Sequence, residues 1–388
     1  MDRLEQIRAT ILAEVSRLPP ERVPVAAAAG RWLAAPVRAA RAAPPQTCSA
    51  MDGYAVRAGD VAGTVSLPVA MTVYAGDPPP PPLAPGEAAR VYTGATLPPG
   101  ADSVVREELV REEGGRAAFS RTALAGENVR RAGEDVPEGG EALPAGVRLG
   151  ARQLALCAAV EAGEVEVVRR PRVALISTGD EVAGGRTPDS NGPALAAALA
   201  AAGMVPERRA VGDEVEAVAA ALARGLEGAD AVVTIGGVSV GARDQVPAAV
   251  ERLGGDVRVH GVPMKPGKPF LFARVGGKPV LGLPGSPSAC LVAFEVLARP
   301  ALLKMAGAAR LLRRRVPLPL AEPVEGRPGR ARFLWARLEE DGQVRPVGHD
   351  AAQVKGPALA DALLYLPEGT GAVERGRPVE AWLLEDDA

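Results

Sequence analysis

Histidine is almost absent from this chain: there are two, His260 and His349, in 388 residues. A zinc site is hard to build from so few. The three cysteines, Cys48, Cys157 and Cys290, are far apart and odd in number. They make no C-x-x-C pair and no disulfide framework, which fits a reducing compartment. A formal net charge of −2 gives no electrostatic ground for wholesale nucleic-acid binding, so any basic site must be local. Long apolar runs are missing too. The longest, within PALAAALAAAGMVP, is alanine-rich and too short to span a bilayer. The start, MDRLEQIRATILAEVSRL, places Leu4, Ile7, Ile11, Val15 and Leu18 at helical spacing between charges, an amphipathic helix over 1–19 and not a signal peptide. A cytoplasmic protein with no membrane and no nucleic-acid partner is expected. Aromatics supply only 3% of residues beside abundant Ala, Pro and Arg, which reflects genome composition more than function.

What is present divides by texture. The length suggests two to four domains. Residues 20–170 are punctuated by proline and glycine and rich in short β-type runs, and PPPPP at 78–82 reads as an exposed polyproline spacer. From Pro171 strands and helices alternate. PRVALIS, VPERRAV, ADAVVTIG and DVRVHGV read as strands; NGPALAAALAAAG, GDEVEAVAAALARGLEG and ARDQVPAAVERLG read as helices. PFLFARVGGKPVLGLPG reads as a hairpin turning at Gly276-Gly277, before a closing helix. This alternation predicts a doubly wound, mostly parallel α/β sheet covered on both faces. After about residue 310 the short alternating runs predict a small antiparallel β domain.

Ligands of open α/β sheets bind beyond the carboxyl ends of the strands, and every unusual cluster falls there. In GGVSVGARD (236–244), Gly236, Gly237 and Gly241 let the backbone approach a ligand. Val238 lies between, Ser239 adds a hydroxyl, and the following helix is expected to aim free amides at the same place, an anion seat suited to phosphate. KPGKP holds Lys265 and Lys268 on a proline-stiffened turn that suits a polyanion. STGDE carries Asp180 and Glu181; with Asp213 and Asp244 these acids share a rim with the lysines, a hard-oxygen site suited to Mg²⁺ among phosphates. In LPGSP, Pro284 and Pro287 bracket Gly285 and Ser286 in a rigid turn. Ser190 or Asn191 is expected to cap the helix that begins there. A rival is open: Gly237-Val-Ser-Val-Gly241 matches the G-x-S-x-G elbow of α/β-hydrolases. Ser239 would attack, Asp256 orient, and His260 or His349 act as base.

The pieces together resemble the molybdopterin molybdotransferases, known as MoeA in bacteria and as the E domain of gephyrin in animals. The resemblance runs over SAMDGYAVR (49–57), VYTGATLPPGADSVV (91–105), NVRRAGEDV (128–136), ALISTGDE (174–181), TIGGVSVGARD (234–244), MKPGKP (264–269) and LGLPGSPSA (281–289). It implies a multidomain α/β plus β fold. Residues 1–19 and 171–309 would form a MogA/MoaB-like α/β molybdopterin-binding domain. Residues 20–45 and 136–170 would form an elongated dimerisation or linker domain, 46–135 a β-rich domain and 310–388 a β-barrel-like domain. It implies a cytoplasmic homodimer that takes adenylyl-molybdopterin and molybdate, releases AMP with the help of Mg²⁺ and leaves molybdenum on the dithiolene. The molybdopterin adenylyltransferase and other proteins of that pathway would be further partners.

By the same resemblance, Glu181 is the key catalytic acid. Asp213 and Asp244 match acidic site positions, with Asp244 and Glu181 toward Mg²⁺, and Asp180 joins the catalytic set from the reading of the acidic rim. Lys265 and Lys268 would anchor molybdate or phosphate, Gly236 to Gly241 would hold the pterin phosphate, and Pro284 to Pro287 would line the substrate. Thr93 and Asp135 would reach the active site of the other subunit. Ser190 and Asn191 join the substrate-binding set. Ser286 stands where the family often has asparagine, Gly261 where some members have a further lysine, and His349-Asp350-Ala351 where many have Gln-Gly-Ser. Molybdopterin adenylyltransferase activity is the nearest alternative, since that enzyme carries a similar GGVS-type turn. The extra N-terminal and C-terminal regions argue against it. A scaffolding role like that of gephyrin lacks the fused second enzyme domain and long linker.

Overall fold

The apolar runs between Pro171 and Leu283 assemble side by side in a computed structural model that describes residues 3–239, 245–348 and 351–384. Six strands lie in the order Val205–Val211, Arg172–Thr178, Ala231–Ile235, Lys278–Leu283, Leu271–Val275, Asp256–His260. The first four are parallel; Leu271–Val275 runs antiparallel to Lys278–Leu283 through the hairpin at Gly276-Gly277, and Asp256–His260, antiparallel to Leu271–Val275, runs again in the direction of the first four. Both glycines take positive φ, 56° and 80°, as the expected turn requires. Arg172–Thr178 is buried at every residue after Arg172 because helices cover both sheet faces, which is why its sequence is a continuous apolar run instead of an alternation. One face packs on Leu4 and Ile11 of the first helix with Leu195 and Leu199; the other packs on Val218, Leu222, Val246 and Val250.

Two helices are shorter than their sequence patterns predict. The first spans Arg3–Ala13, although Val15 still joins the core from beyond its end. The helix expected over ARDQVPAAVERLG begins only at Val246, with Pro247 in its first turn, and ends at Arg252. Pro247 has no amide to donate and fits a first turn, not a helix interior.

The region before residue 170 has two parts. A six-stranded sheet, Ser103–Arg106, Gly53–Val56, Ala88–Val91, Val65–Val73, Arg116–Phe119 and Val110–Glu113, carries a small core on each face. The other part pairs Pro20–Pro24 with Glu164–Val168 and Val37–Arg38 with Glu141–Leu143, around Leu33, Leu149, Cys157 and Val167. The prolines 78–82 are irregular and largely exposed, as a spacer would be.

The C-terminal sheet runs Met264–Lys265, Ala331–Leu338, Ala362–Leu366, Pro378–Leu383, Arg315–Pro319, with Val344–Pro346 on its second strand. Just past Arg315–Pro319, Leu320 bridges back to Val344, and the Ala321 amide donates to Val344 O at 2.9 Å, so the last strand returns toward the second; the first member of the sheet belongs to the central domain. Phe333, Trp335, Leu363, Tyr365 and Trp382 pack into the same core cluster as the central sheet, so the two units share apolar packing. No helix among the described residues is long and apolar enough to cross a membrane.

Candidate active site

Parallel strands deliver all their carboxyl ends to one edge, and there the five segments singled out in the sequence meet. A cleft of about 490 Å³ is lined by Thr178, Gly179 and Glu181 of STGDE, Asp213 of GDE, and Gly236 to Ser239 of the glycine turn. Pro269 of KPGKP and Pro284, Gly285 and Ser286 of LPGSP complete it.

The glycines are dictated by close approach. Gly179 has φ +137°, and a Cβ there would stand 2.7 Å from Glu181 Oε1, so the carboxylate lies folded over a residue with no side chain. Gly236 and Gly237 have φ +88° and +65°, and a Cβ on either would meet Thr178 Oγ1 at 3.0 or 2.9 Å. Thr178 is buried and donates its hydroxyl to Ile235 O at 3.3 Å, which holds the ends of the strands Arg172–Thr178 and Ala231–Ile235 together. Two acids lock the neighbouring loops. The Asp213 amide donates to Asp180 Oδ1 at 3.1 Å, and the Asp180 amide donates to Asp213 Oδ2 at 3.4 Å. Asp180 is thereby a loop clasp, while Asp213 and Glu181 face the cleft.

The anion seat differs from expectation in one respect. The helix after the glycine turn is only seven residues long, and its first amide, Val246 N–H, donates back to Gly237 O at 3.0 Å. It therefore does not offer a free N-terminus. The donors come from the turn itself: among the described residues the amides of Gly237, Val238 and Ser239 have no acceptor, whereas Gly236 N–H donates to Leu283 O at 2.9 Å. Gly241 and Asp244 lie outside the described residues.

Lys265 is half-buried and Lys268 exposed, and neither forms an ion pair among the described residues. Their turn reaches the cleft through Pro269, and the lysines stand beside the lining instead of in it. Pro287 points away and opens the helix Pro287–Ala293. It lines a second pocket of about 440 Å³ together with Ser190 and Asn191, which are therefore behind the cleft wall and not in it. Asn191 nevertheless touches that wall: its Nδ2 donates to Gly285 O at 2.7 Å.

The expected cap is also displaced. Neither Ser190 nor Asn191 caps the helix Asn191–Ala201 with its side chain. Asp189 does, through Oδ1 to the Gly192 amide at 2.8 Å, and its Oδ2 accepts from Ser177 Oγ at 2.9 Å and Arg208 at 3.2 Å. Sequence reading passed over Asp189. The available signal was Asp followed three residues later by Gly, since a Cβ on Gly192 would lie 2.2 Å from Asp189 Oδ2.

The serine hydrolase arrangement does not form with His260 and Asp256. Ser239 lines the cleft, but His260 Nε2 lies 3.1 Å from Val238 O and must carry a proton to donate there. Asp256 sits at the other end of the same strand, paired with Arg258 at 2.8 Å, so it does not orient the imidazole. His349 lies outside the described residues.

Thr93 and Asp135 belong to the N-terminal region and do not line this cleft. The Thr93 amide and hydroxyl both donate to Asp52 Oδ1 at 2.7 Å. These two bonds hold the Asp52 carboxyl below its usual range. Asp135 accepts from Arg130, which also grips Glu134. Asp52, inside the SAMDGYAVR motif, was not singled out from sequence; its pairing with Thr93 becomes visible only once the two loops are adjacent. Cys290 is buried and its thiol is pushed up by that burial, so it is no nucleophile at neutral pH.

Three family models match the chain. They are the MoeA N-terminal region (domain I and II) over residues 3–160, the probable molybdopterin binding domain over 174–304 and the MoeA C-terminal region (domain IV) over 317–384. The molybdopterin molybdenumtransferase of Nostoc sp. is 36% identical over 381 residues, covering 92% of this chain and 87% of that protein. The Bacillus subtilis protein of the same name is 33% identical, covering 92% and 88%. Two crystal structures of molybdopterin biosynthesis MoeA protein from Pyrococcus horikoshii match the fold. One has a TM-score of 0.78 at 33% identity, covering 99% of both chains; the other has 0.85 at 26%, covering 99% of this chain and 100% of that one.

Proposed function

This chain belongs to the molybdopterin molybdenumtransferase family, and on that premise we propose that its cleft receives adenylyl-molybdopterin and molybdate, opens the phosphate anhydride and releases AMP. Molybdenum then remains on the dithiolene. The role is that of a transferase in molybdenum cofactor biosynthesis. The observation that carries this reading is the convergence of all five strand-end segments on one cleft.

The chemistry follows from what lines it. Among the described residues the amides of Gly237 to Ser239 have no acceptor and suit phosphate oxygens, and the turn that enters the cleft at Pro269 carries Lys265 and Lys268, point charges suited to a second oxyanion. Cleaving the anhydride leaves charge on the departing phosphate, which fixed donors offset without reorganisation. Glu181 and Asp213 supply carboxylates in the same space.

This donor set fits magnesium. No cluster of three or more potential ligands occurs among the described residues, and Mg²⁺ asks for only one or two carboxylates plus waters and phosphates. Glu181 would hold it, with Asp213 in the same cleft; the resemblance adds Asp244, which lies outside the described residues. Bound there, the ion would neutralise phosphate charge. Thr93 and Asp135, outside their own chain's cleft, fit a homodimer in which each subunit completes its partner's site.

The test is direct. Purified protein given adenylyl-molybdopterin should release AMP only when molybdate and Mg²⁺ are both present. Consumption of ATP to make that intermediate would assign the adenylyltransferase reaction instead.

A further inference from the structure

The C-terminal sheet contributes no residue to the cleft lining, yet it is tied to two of the five segments that form it. Both ties start from one strand, Ala331–Leu338. At its beginning, Ala331 and Arg332 pair in parallel with Met264 and Lys265, the strand that leads into KPGKP. The Ala331 amide also donates to Pro263 O at 2.9 Å. Four residues on, Trp335 Nε1 donates to Ser288 Oγ at 2.8 Å. Ser288 follows the Pro284–Pro287 turn directly, in the first turn of the helix Pro287–Ala293.

A third tie comes from elsewhere in the same domain: the amides of Ser288 and Ala289 both donate to Ala351 O, at 3.0 and 3.4 Å. The helix's first amides, which ordinarily face water or its own cap, are thus satisfied by another domain. The pair is enclosed, with Ser288 at 2% and Trp335 at 6% exposure. A buried indole N–H requires an acceptor, so the ring cannot shift without dragging Ser288 or losing its bond.

We infer that Trp335 is a positioning residue. Through Ser288 it sets the Pro284–Ser286 turn that walls the cleft, while the start of its own strand sets the Lys265 turn. The C-terminal domain then acts as a strut across two cleft walls without touching substrate. This rests on the transferase reading above. A wall displaced by about 1 Å costs on the order of 100-fold in well-oriented sites, so a partial loosening should be readable in kinetics.

The experiment uses the full chain with Trp335→Phe, which keeps an apolar ring and removes the donor, Ser288→Ala, which removes the acceptor, and the double variant. Trp382→Phe is the control: that indole lies in the same core cluster but donates to Glu380 of its own sheet. In AMP release, each single variant should raise KM for adenylyl-molybdopterin about tenfold, with kcat within about twofold. The double should equal the singles, because one shared bond is lost. Amide exchange over residues 284–289 should quicken about tenfold in Trp335→Phe and Ser288→Ala, and not in Trp382→Phe. An unchanged KM in both singles, full additivity in the double, or an equal KM rise in Trp382→Phe would each overturn the inference. Wild-type protein inert toward the substrate would sink the functional reading alone, and the exchange measurement would still decide the positioning role.

Discussion

Glu181 lies over a glycine that cannot be anything else. At φ +137° an L side chain is strained, and a Cβ would collide with the Glu181 carboxylate at 2.7 Å. Gly179→Ala should therefore cost about 1–3 kcal/mol of stability and displace the carboxylate, lowering kcat as far as Glu181→Gln does. Retained kcat in a folded Gly179→Ala protein would show that the carboxylate's place is unimportant. Glu181→Ala removes the acid while leaving the amides of the glycine turn. Turnover should fall by about 100-fold or more with pterin affinity nearly unchanged, as for a group used only in the chemical step. Equal loss of binding and rate would contradict that division. The serine beside those amides needs no such role: Ser239 should resist fluorophosphonate labelling, because the His260 imidazole is engaged at Val238 O and not aimed at it.

At the scale of elements, one carboxylate pins the central sheet to the chain that enters it. Asp230 accepts the Arg172 amide at 2.8 Å, at the start of the strand Arg172–Thr178, and takes Arg169 through both oxygens at 3.0 and 2.7 Å. Burial pushes its carboxyl up, but the Arg169 and Arg172 bonds outweigh burial and hold it below the usual 3.8. The folded value being depressed, the stabilisation is present at neutral pH and is lost as pH falls below 3.8 through the folded value. Asp230→Asn should cost about 2 kcal/mol at pH 7, and the gap between variant and wild type in thermal midpoint should close on acidification. A gap independent of pH would show that the pin is not electrostatic.

Across the whole molecule, the same chain carries Glu181 in its cleft and Asp135 far along the N-terminal region, where it pairs with Arg130 and not with the cleft. If subunits complete each other's sites, inactive Glu181→Ala and Asp135→Ala chains should complement. A mixed dimer has one intact site of two, and mixed dimers form half of a random population, so activity should recover to about a quarter of wild type. No recovery after mixing and refolding would mean that each cleft is served by its own chain.

The strand-end loops could be read from residues alone because parallel strands deliver every carboxyl end to one edge: STGDE, GDE, GGVS, KPGKP and LPGSP needed only that rule to be placed together. The hairpin at Gly276-Gly277 was equally local, since two positive φ values demand two glycines. What packing decided was which side chain does what. Asp189, not Ser190, caps the helix because Ser177 and Arg208 from two neighbouring strands also converge on it. Asp52 finds Thr93 across 41 residues of chain. Trp335 finds Ser288 from another domain. Patterns of period two or 3.6 report the face a residue lies on, but a hydrogen bond between distant segments depends on how whole elements dock, and no short stretch of sequence contains that distance.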